Sequence, residues 1–148
     1  MSTYTQIIYH IVFSTKDRKP CLNTEKRDEL FKYIWGLIRN KKCHLYRING
    51  TDDHIHILAE LHPTVCLADL IKDIKLSASQ WIKAENVFPG FMGWQAGYGA
   101  FTVSPKGKDA LIEYIKNQEN HHRRTTFTEE LRILLDEAGI VYDPKYLA

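Results

Sequence analysis

Cysteine is scarce in this sequence, and no two cysteines stand close together. Cys21, Cys43 and Cys66 are an odd number at wide spacing with no CxxC pair, which argues against a zinc ribbon or a thioredoxin-like redox centre. They read as reduced, structural residues. Long apolar runs are missing too. No stretch approaches the roughly 20 residues that cross a bilayer, and Thr3, Tyr4, Thr5 and Gln6 interrupt any signal-peptide layout at the N-terminus. The expected location is the cytoplasm, with no membrane partner. Repeats, low-complexity segments and linkers are also lacking, so residues 1–148 read as one domain, long enough to bury a core. With 44% apolar and 26% charged residues the composition is that of a globular protein. A strong charge bias is absent as well. The net charge of +2 nevertheless conceals an asymmetry. Residues 1–108 hold 15 basic against 10 acidic side chains, and residues 109–148 hold 5 against 8. Such a basic body permits nucleic-acid binding without requiring it.

What is present is a regular alternation of patterns. Residues 4–15 are β-branched and aromatic and predict a strand. Over residues 24–41, Leu30, Phe31, Ile34 and Ile38 recur at helical spacing. Two short strands, 43–48 and 54–61, flank Asn49-Gly50, a turn signal. A second helix after Thr64 carries a stripe of Leu67, Leu70, Ile71, Ile74, Ala78, Trp81 and Ile82. Residues 94–103 predict a fourth strand, loosened by Gly97 and Gly99. Ser104-Pro105 opens a helix running to about residue 122. Thr126 with Glu129 has capping-box spacing for a last helix, which Gly139 should end. The order β-α-β-β-α-β followed by helices predicts an α+β, ferredoxin-like (split βαβ) antiparallel sheet. Both long helices should pack on one face, with the first and third strands central and further helices at the C-terminus.

Two constellations carry chemistry. In Asp53-His54-Ile55-His56-Ile57 the strand alternation sends both histidines to one face and both isoleucines to the other. Two imidazoles at i and i+2 can share a metal ion or clamp a phosphate; the same pattern also describes two half-exposed histidines on a sheet surface. Tyr114 and Gln118, four apart, share one helix face beside Leu111 and Ile115, which equally describes a tyrosine at the core edge. Asp52 and Asp53 read as turn residues or as partners orienting the histidines.

Taken together, these motifs resemble the single-tyrosine HUH transposases, small enzymes that move insertion sequences as single-stranded DNA. The resemblance spans nearly the whole chain. It rests on His54-Ile55-His56, on the strand Gly97-Tyr98-Gly99-Ala100-Phe101, and on Tyr114-Ile115-Lys116-Asn117-Gln118 followed by His121-His122. It implies that His54, His56 and Gln118 hold Mg²⁺ or Mn²⁺, and that Tyr114 attacks the scissile phosphate to give a 5′-phosphotyrosine. Cutting and rejoining would occur at hairpin-flanked ends of an element, without ATP. A homodimer with shared active sites is implied too, the tyrosine helix of one subunit completing the histidine site of the other, with Gly107 as a pivot. Related replication initiators carry two tyrosines; Gln at position 118 places this chain on the single-tyrosine side.

For DNA binding the basic candidates are Lys72, Lys75 and Lys83 on the second helix, with Lys106, Lys108, Arg123 and Arg124. His121 and His122 are candidates for phosphate contact or for a zinc site with the HxH pair. Tyr98 is an alternative nucleophile. Trp81, Trp94 and Phe101 read as core. Three rival readings stand beside the transposase. One is a non-catalytic hairpin-DNA-binding protein of the same fold. A second is a domesticated relative with unchanged chemistry. The third is a zinc hydrolase, for which no carboxylate lies at useful spacing.

Overall fold

The computed structural model describes residues 1–122 and 125–147, apart from the side chains of His121 and His122. Its elements are β1 (Ile8–Ser14), a 3₁₀ turn (Lys16–Arg18), α1 (Thr24–Asn40), β2 (His44–Gly50), β3 (His54–Glu60), α2 (Leu67–Ala84) and β4 (Gly99–Thr102). There follow α3 (Pro105–Lys116), α4 (Gln118–His122), α5 (Phe127–Glu137) and a closing 3₁₀ turn (Pro144–Tyr146). The strands form one antiparallel sheet in the order β2-β3-β1-β4. This is the split βαβ plan, with β1 and β3 central. Among the described residues no helix is long and apolar enough to cross a membrane.

Strand alternation divides the sheet into two unlike faces. Ile11 and Phe13 of β1 and Ile55, Ile57 and Ala59 of β3 meet Leu30, Ile34 and Ile38 of α1 and the apolar stripe of α2 in one buried cluster. On the opposite face Ile8, Leu58 and Ile115 form a smaller cluster, which Leu111, Ile112 and Tyr114 of α3 join. The histidines of β3 share this second face. A polar pair is thus set in a dry wall, held by a strand with neighbours on both sides.

Several boundaries differ from the sequence reading, each for a local reason. β1 begins at Ile8, because residues 1–6 are exposed and have no apolar face to bury. The fourth strand keeps only Gly99–Thr102; Trp94 makes an isolated bridge to Thr15, and Gly97, at φ +86, breaks the ladder between them. The helix expected to reach residue 122 stops at Lys116. Asn117, at ψ 20, is its C-cap, and Asn49 Nδ2 takes the freed carbonyls of Ile115 and Lys116, each at 3.0 Å. The β2–β3 connection is Thr51–Asp53, two residues later than Asn49-Gly50 suggested. The caps Ser104 and Thr126 form as expected, accepting from Gly107 N and Glu129 N.

Gly50 is demanded by contact, not by turn geometry. A Cβ there would lie 2.3 Å from the carbonyl oxygen of His54, which is backbone and cannot yield. Gly50→Ala is expected to cost about 2–3 kcal/mol as an overpacking change and to displace His54. Urea unfolding midpoints compared with the parent chain measure it.

Candidate active site on the second sheet face

The two histidines aim their Nε2 atoms at a single carboxylate. His54 Nε2 lies 3.2 Å and His56 Nε2 2.9 Å from Glu130 Oε1. The other oxygen, Glu130 Oε2, accepts from Gln118 Nε2 at 3.2 Å and from the Tyr114 hydroxyl. Gln118 also turns its Oε1 to His54 Nε2, at 3.2 Å. His54, His56, Gln118 and Glu130 are buried, none more than 2% exposed. The structure brings His54, His56, Tyr114 and Gln118 together, with Tyr114 on α3 and Gln118 on α4.

Surrounding groups fix the rings. Asp53 Oδ1 accepts from His54 Nδ1 at 2.7 Å, and Thr51 Oγ1 lies 2.9 Å from the same nitrogen and 3.1 Å from Asp53 Oδ1. This leaves His54 Nε2 facing the site. His10 Nε2 meets His56 Nδ1 at 2.8 Å. Because a neutral imidazole donates from one nitrogen and accepts at the other, His10 serves either tautomer of His56. Phe127 stacks on His54 with centroids 4.4 Å apart.

Glu130 and His10 were not singled out from the sequence. Both carried a signal. Phe127, Glu130, Leu131 and Leu134 are spaced i, i+3, i+4, i+7, so a carboxylate interrupts an apolar stripe. His10 shares strand parity with the buried Ile8 and Val12. Glu130 also removes the objection that no carboxylate stands near the histidines.

The donor set fits a divalent cation. Ligand atoms of His54, His56 and Glu130 all lie within 4.8 Å of one another, and the Gln118 amide oxygen adjoins them. Two imidazole nitrogens with carboxylate and amide oxygens form a mixed site of intermediate hardness.

Electrostatics follow from burial against pairing. Burial opposes charge on His54, but the bonds to Asp53 and Glu130 outweigh it and lift its pKa to about 9. Burial, aided by His56, lowers His10 to about 3. Burial favours the neutral acid at Glu130, yet its bonds to His54 and His56 hold it far below the carboxylate range. Burial and the Glu130 bond push the Tyr114 phenol upward.

The metal-free protein is expected to be most stable near pH 6.5, the ordinary histidine value. From there to about pH 9 the folded chain keeps a proton on His54 that the unfolded chain has released, so stability falls as pH rises. Below 6.5 the unfolded chain protonates His10 while the folded chain does not, so stability falls again. Below about 4.5, Glu130 deepens that acid loss. Urea midpoints across this range, with chelator present, check the maximum.

The basic candidates scatter. Lys72 and Lys83 are exposed on α2, across the sheet from the histidines. Lys75 Nζ donates to the carbonyls of Gln95 at 2.9 Å and Gly97 at 2.5 Å, tying α2 to the loop before β4. Lys106 is exposed in the first turn of α3, and Lys108 lies over the Tyr46 ring. Arg123 and Arg124, like the side chains of His121 and His122, lie outside the described residues.

Comparison with known proteins adds a family. Residues 3–118 match the family model described as transposase IS200 like. The transposases of insertion sequence element IS200 from Salmonella typhimurium LT2 and Salmonella typhi are each 28% identical over 115 residues, covering 74% of this chain and 75% of theirs. A crystal structure of a protein assigned as a transposase in Deinococcus radiodurans R1 superposes with TM-score 0.63 at 24% identity, covering 80% of this chain and 95% of that one. A REP-associated tyrosine transposase bound to a REP hairpin gives TM-score 0.63 at 16% identity, covering 82% and 74%. At these identities the structural likeness speaks for the fold.

Proposed function

The chain belongs to the IS200-like transposase family, and on that premise we propose that it cuts and rejoins single-stranded DNA at hairpin-flanked element ends, with Tyr114 as nucleophile. The supporting observation is that the Tyr114 hydroxyl and both histidine Nε2 atoms converge on one carboxylate, Glu130.

In the first step the Tyr114 oxygen bonds to the scissile phosphorus and the bond to the 3′ oxygen breaks. The phenol proton is lost and the departing oxygen is protonated, which leaves a 5′-phosphotyrosine and a free 3′-OH. Attack by a 3′-OH reverses the exchange and frees Tyr114. One phosphodiester replaces another throughout, so no ATP is consumed.

His54, His56, Gln118 and Glu130 are the residues that would hold Mg²⁺ or Mn²⁺. Such an ion supplies positive charge that polarises the phosphate and offsets charge in the transition state. Asp53 and Thr51 orient His54, and His10 orients His56. Asn49, by ending α3, sets Gln118 on a new helix facing the histidines. The phenol, held above its ordinary pKa by burial and Glu130, stays protonated until substrate is in place.

The DNA partner is read as a hairpin with a single-stranded flank; the hairpin part of that reading is supported by a structural neighbour bound to a REP hairpin. Residues 1–148 are read as one transposase domain, since α5, beyond the matched segment, supplies Glu130; the cytoplasm is its proposed location. The assembly is read as a homodimer with shared active sites, the tyrosine helix of one subunit completing the histidine site of the other; a single chain that brings Tyr114 to its own histidines is the alternative. A homodimer exchanging α3 would rebuild the same contacts across subunits. Mixing Tyr114→Phe and His54→Ala chains separates the two: absence of rescue supports the single-chain site, and rescue supports exchange.

The test of the function incubates the full chain with Mg²⁺ or Mn²⁺ and end-labelled single-stranded DNA carrying a hairpin. A denaturant-resistant protein–DNA adduct that disappears with chelator is expected. Cut DNA without adduct would indicate the hydrolase reading, now that a carboxylate is present. Binding without cutting would indicate the hairpin-binding reading.

A further inference from the structure

Beside the histidines lies a second feature that the transposase chemistry above does not use. A cavity of about 220 Å³ opens on the same sheet face, lined among others by Ser14, Arg18, Gln95, Gly97, Tyr98 and Phe127. Ser14 is the register partner of His54, so the cavity begins one strand from the site. Opposed side chains on paired strands stand about 5 Å apart.

Arg18 is the unusual residue here. It and Asp17 both adopt left-handed backbone, at φ 53 and 54, a conformation that residues with a Cβ hold only when their surroundings compel it. The compulsion is visible in hydrogen bonds. Thr15 N donates to the Asp53 carbonyl at 2.9 Å, Lys16 N to the Gly93 carbonyl at 2.9 Å, and Asp17 N to Gln95 Oε1 at 2.9 Å. The turn is thereby fastened both to the residue preceding His54 and to the loop that walls the cavity.

The effect is to lay the Arg18 guanidinium over the Phe127 ring, 5.6 Å from its centroid, and Phe127 in turn stacks on His54. Arg18 Nε is buried and has no hydrogen-bond partner among the described residues. A buried guanidinium nitrogen with no hydrogen-bond partner, in a cavity whose other walls include the apolar Val12, Phe127, Leu131 and Leu135, calls for an anionic acceptor. Tyr98, which also lines the cavity, is 46% exposed on a loop whose Gly97, at φ +86, lets the backbone turn away. An exposed ring at the rim of a nucleobase-sized space is a stacking surface indifferent to base identity.

We propose that this cavity is a nucleotide subsite, holding the nucleotide next to the cleaved bond with Arg18 on its phosphate and Tyr98 against its base. The assignment rests on the DNA-processing reading, and it makes Arg18 a positioning residue for the strand. α5 roofs the cavity through Leu131 and Leu135, so the helix that supplies Glu130 also bounds the bound nucleotide.

The test scans a hairpin DNA with a short single-stranded flank, placing one neutral methylphosphonate linkage at a time and measuring affinity without metal. It therefore does not depend on cleavage. Arg18→Met keeps an unbranched apolar side chain and removes the charge, and thermal melting confirms its folding. At one linkage the parent chain is expected to lose about 10-fold in affinity, while Arg18→Met, already weakened by a similar factor, loses nothing more. An abasic scan paired with Tyr98→Ala should show the same non-additivity at the attached nucleotide. Equal losses for parent and Arg18→Met at every linkage overturn the subsite. With metal added, an adduct-forming parent chain alongside a flat scan sinks the subsite and leaves the function standing.

Discussion

Tyr114→Phe is expected to lower formation of both cleaved and joined DNA by about 10⁴-fold or more, the scale of losing a nucleophile, while hairpin binding stays within about 3-fold. The substitution removes one oxygen and little else. The ring keeps its edge-on contact with His56, centroids 5.9 Å apart, and its place against Ile8, Leu58 and Ile115. Glu130 Oε2, which loses the phenol, still accepts from Gln118 Nε2, so no buried acceptor is left empty. The stability change should be about 1 kcal/mol, the net value of one hydrogen bond. An assay separating binding from covalent capture distinguishes this from a folding defect. Adduct formation within 10-fold of the parent chain would remove Tyr114 from the mechanism.

Glu130→Ala carries the second large effect, and here stability and metal affinity both change. Glu130 is 2% exposed and links four side chains from three elements besides its own. Without it, a His54 whose pKa is raised to about 9 partly by that carboxylate is left charged and buried with Asp53 alone. Removing one member of a buried ion pair costs about 3–5 kcal/mol, to be read from urea unfolding below pH 6.5, where His54 is charged in both states. Mn²⁺ affinity should fall at least about 100-fold, read by calorimetric titration. Glu130→Gln keeps the volume and separates the effects: its fold should be largely retained while its metal affinity drops. A Glu130→Gln chain that binds Mn²⁺ like the parent would exclude Glu130 from the cation site.

Local periodicity and long-range contact contribute differently to this site. Period-2 alternation alone put His54 and His56 on one face of a central strand, because parity is a property of the strand itself. Helical spacing likewise brought Tyr114 and Gln118 to one side, and both reached the site even though Asn117 breaks the helix between them. That break was not legible, since it depends on Asn49, 66 residues from Ile115 in the chain. Glu130 and His10 are the instructive omissions. Each advertised itself as a polar group at an apolar position. What each would meet, 74 residues away for Glu130 with His56 and 46 for His10 with His56, is set by how α5 and β1 lie on the sheet. Periodicity tells which face of an element is buried and leaves open which side chains will share that burial. Gly50 shows the same limit: Asn49-Gly50 reads as a turn, whereas the chain needs the glycine to pass the His54 carbonyl.

The proposed function requires one composite centre that joins the tyrosine to the histidine cluster for covalent DNA chemistry. Its most direct test is to trap the adduct on hairpin-bearing single-stranded DNA with Mn²⁺, digest protein and DNA, and locate the residual nucleotide by mass spectrometry. The expected product is a 5′-linked nucleotide on Tyr114 alone, lost when chelator is added or when His56→Ala is used. A nucleotide on Tyr98 or any other side chain, or one on Tyr114 that forms equally well in His56→Ala, would contradict it.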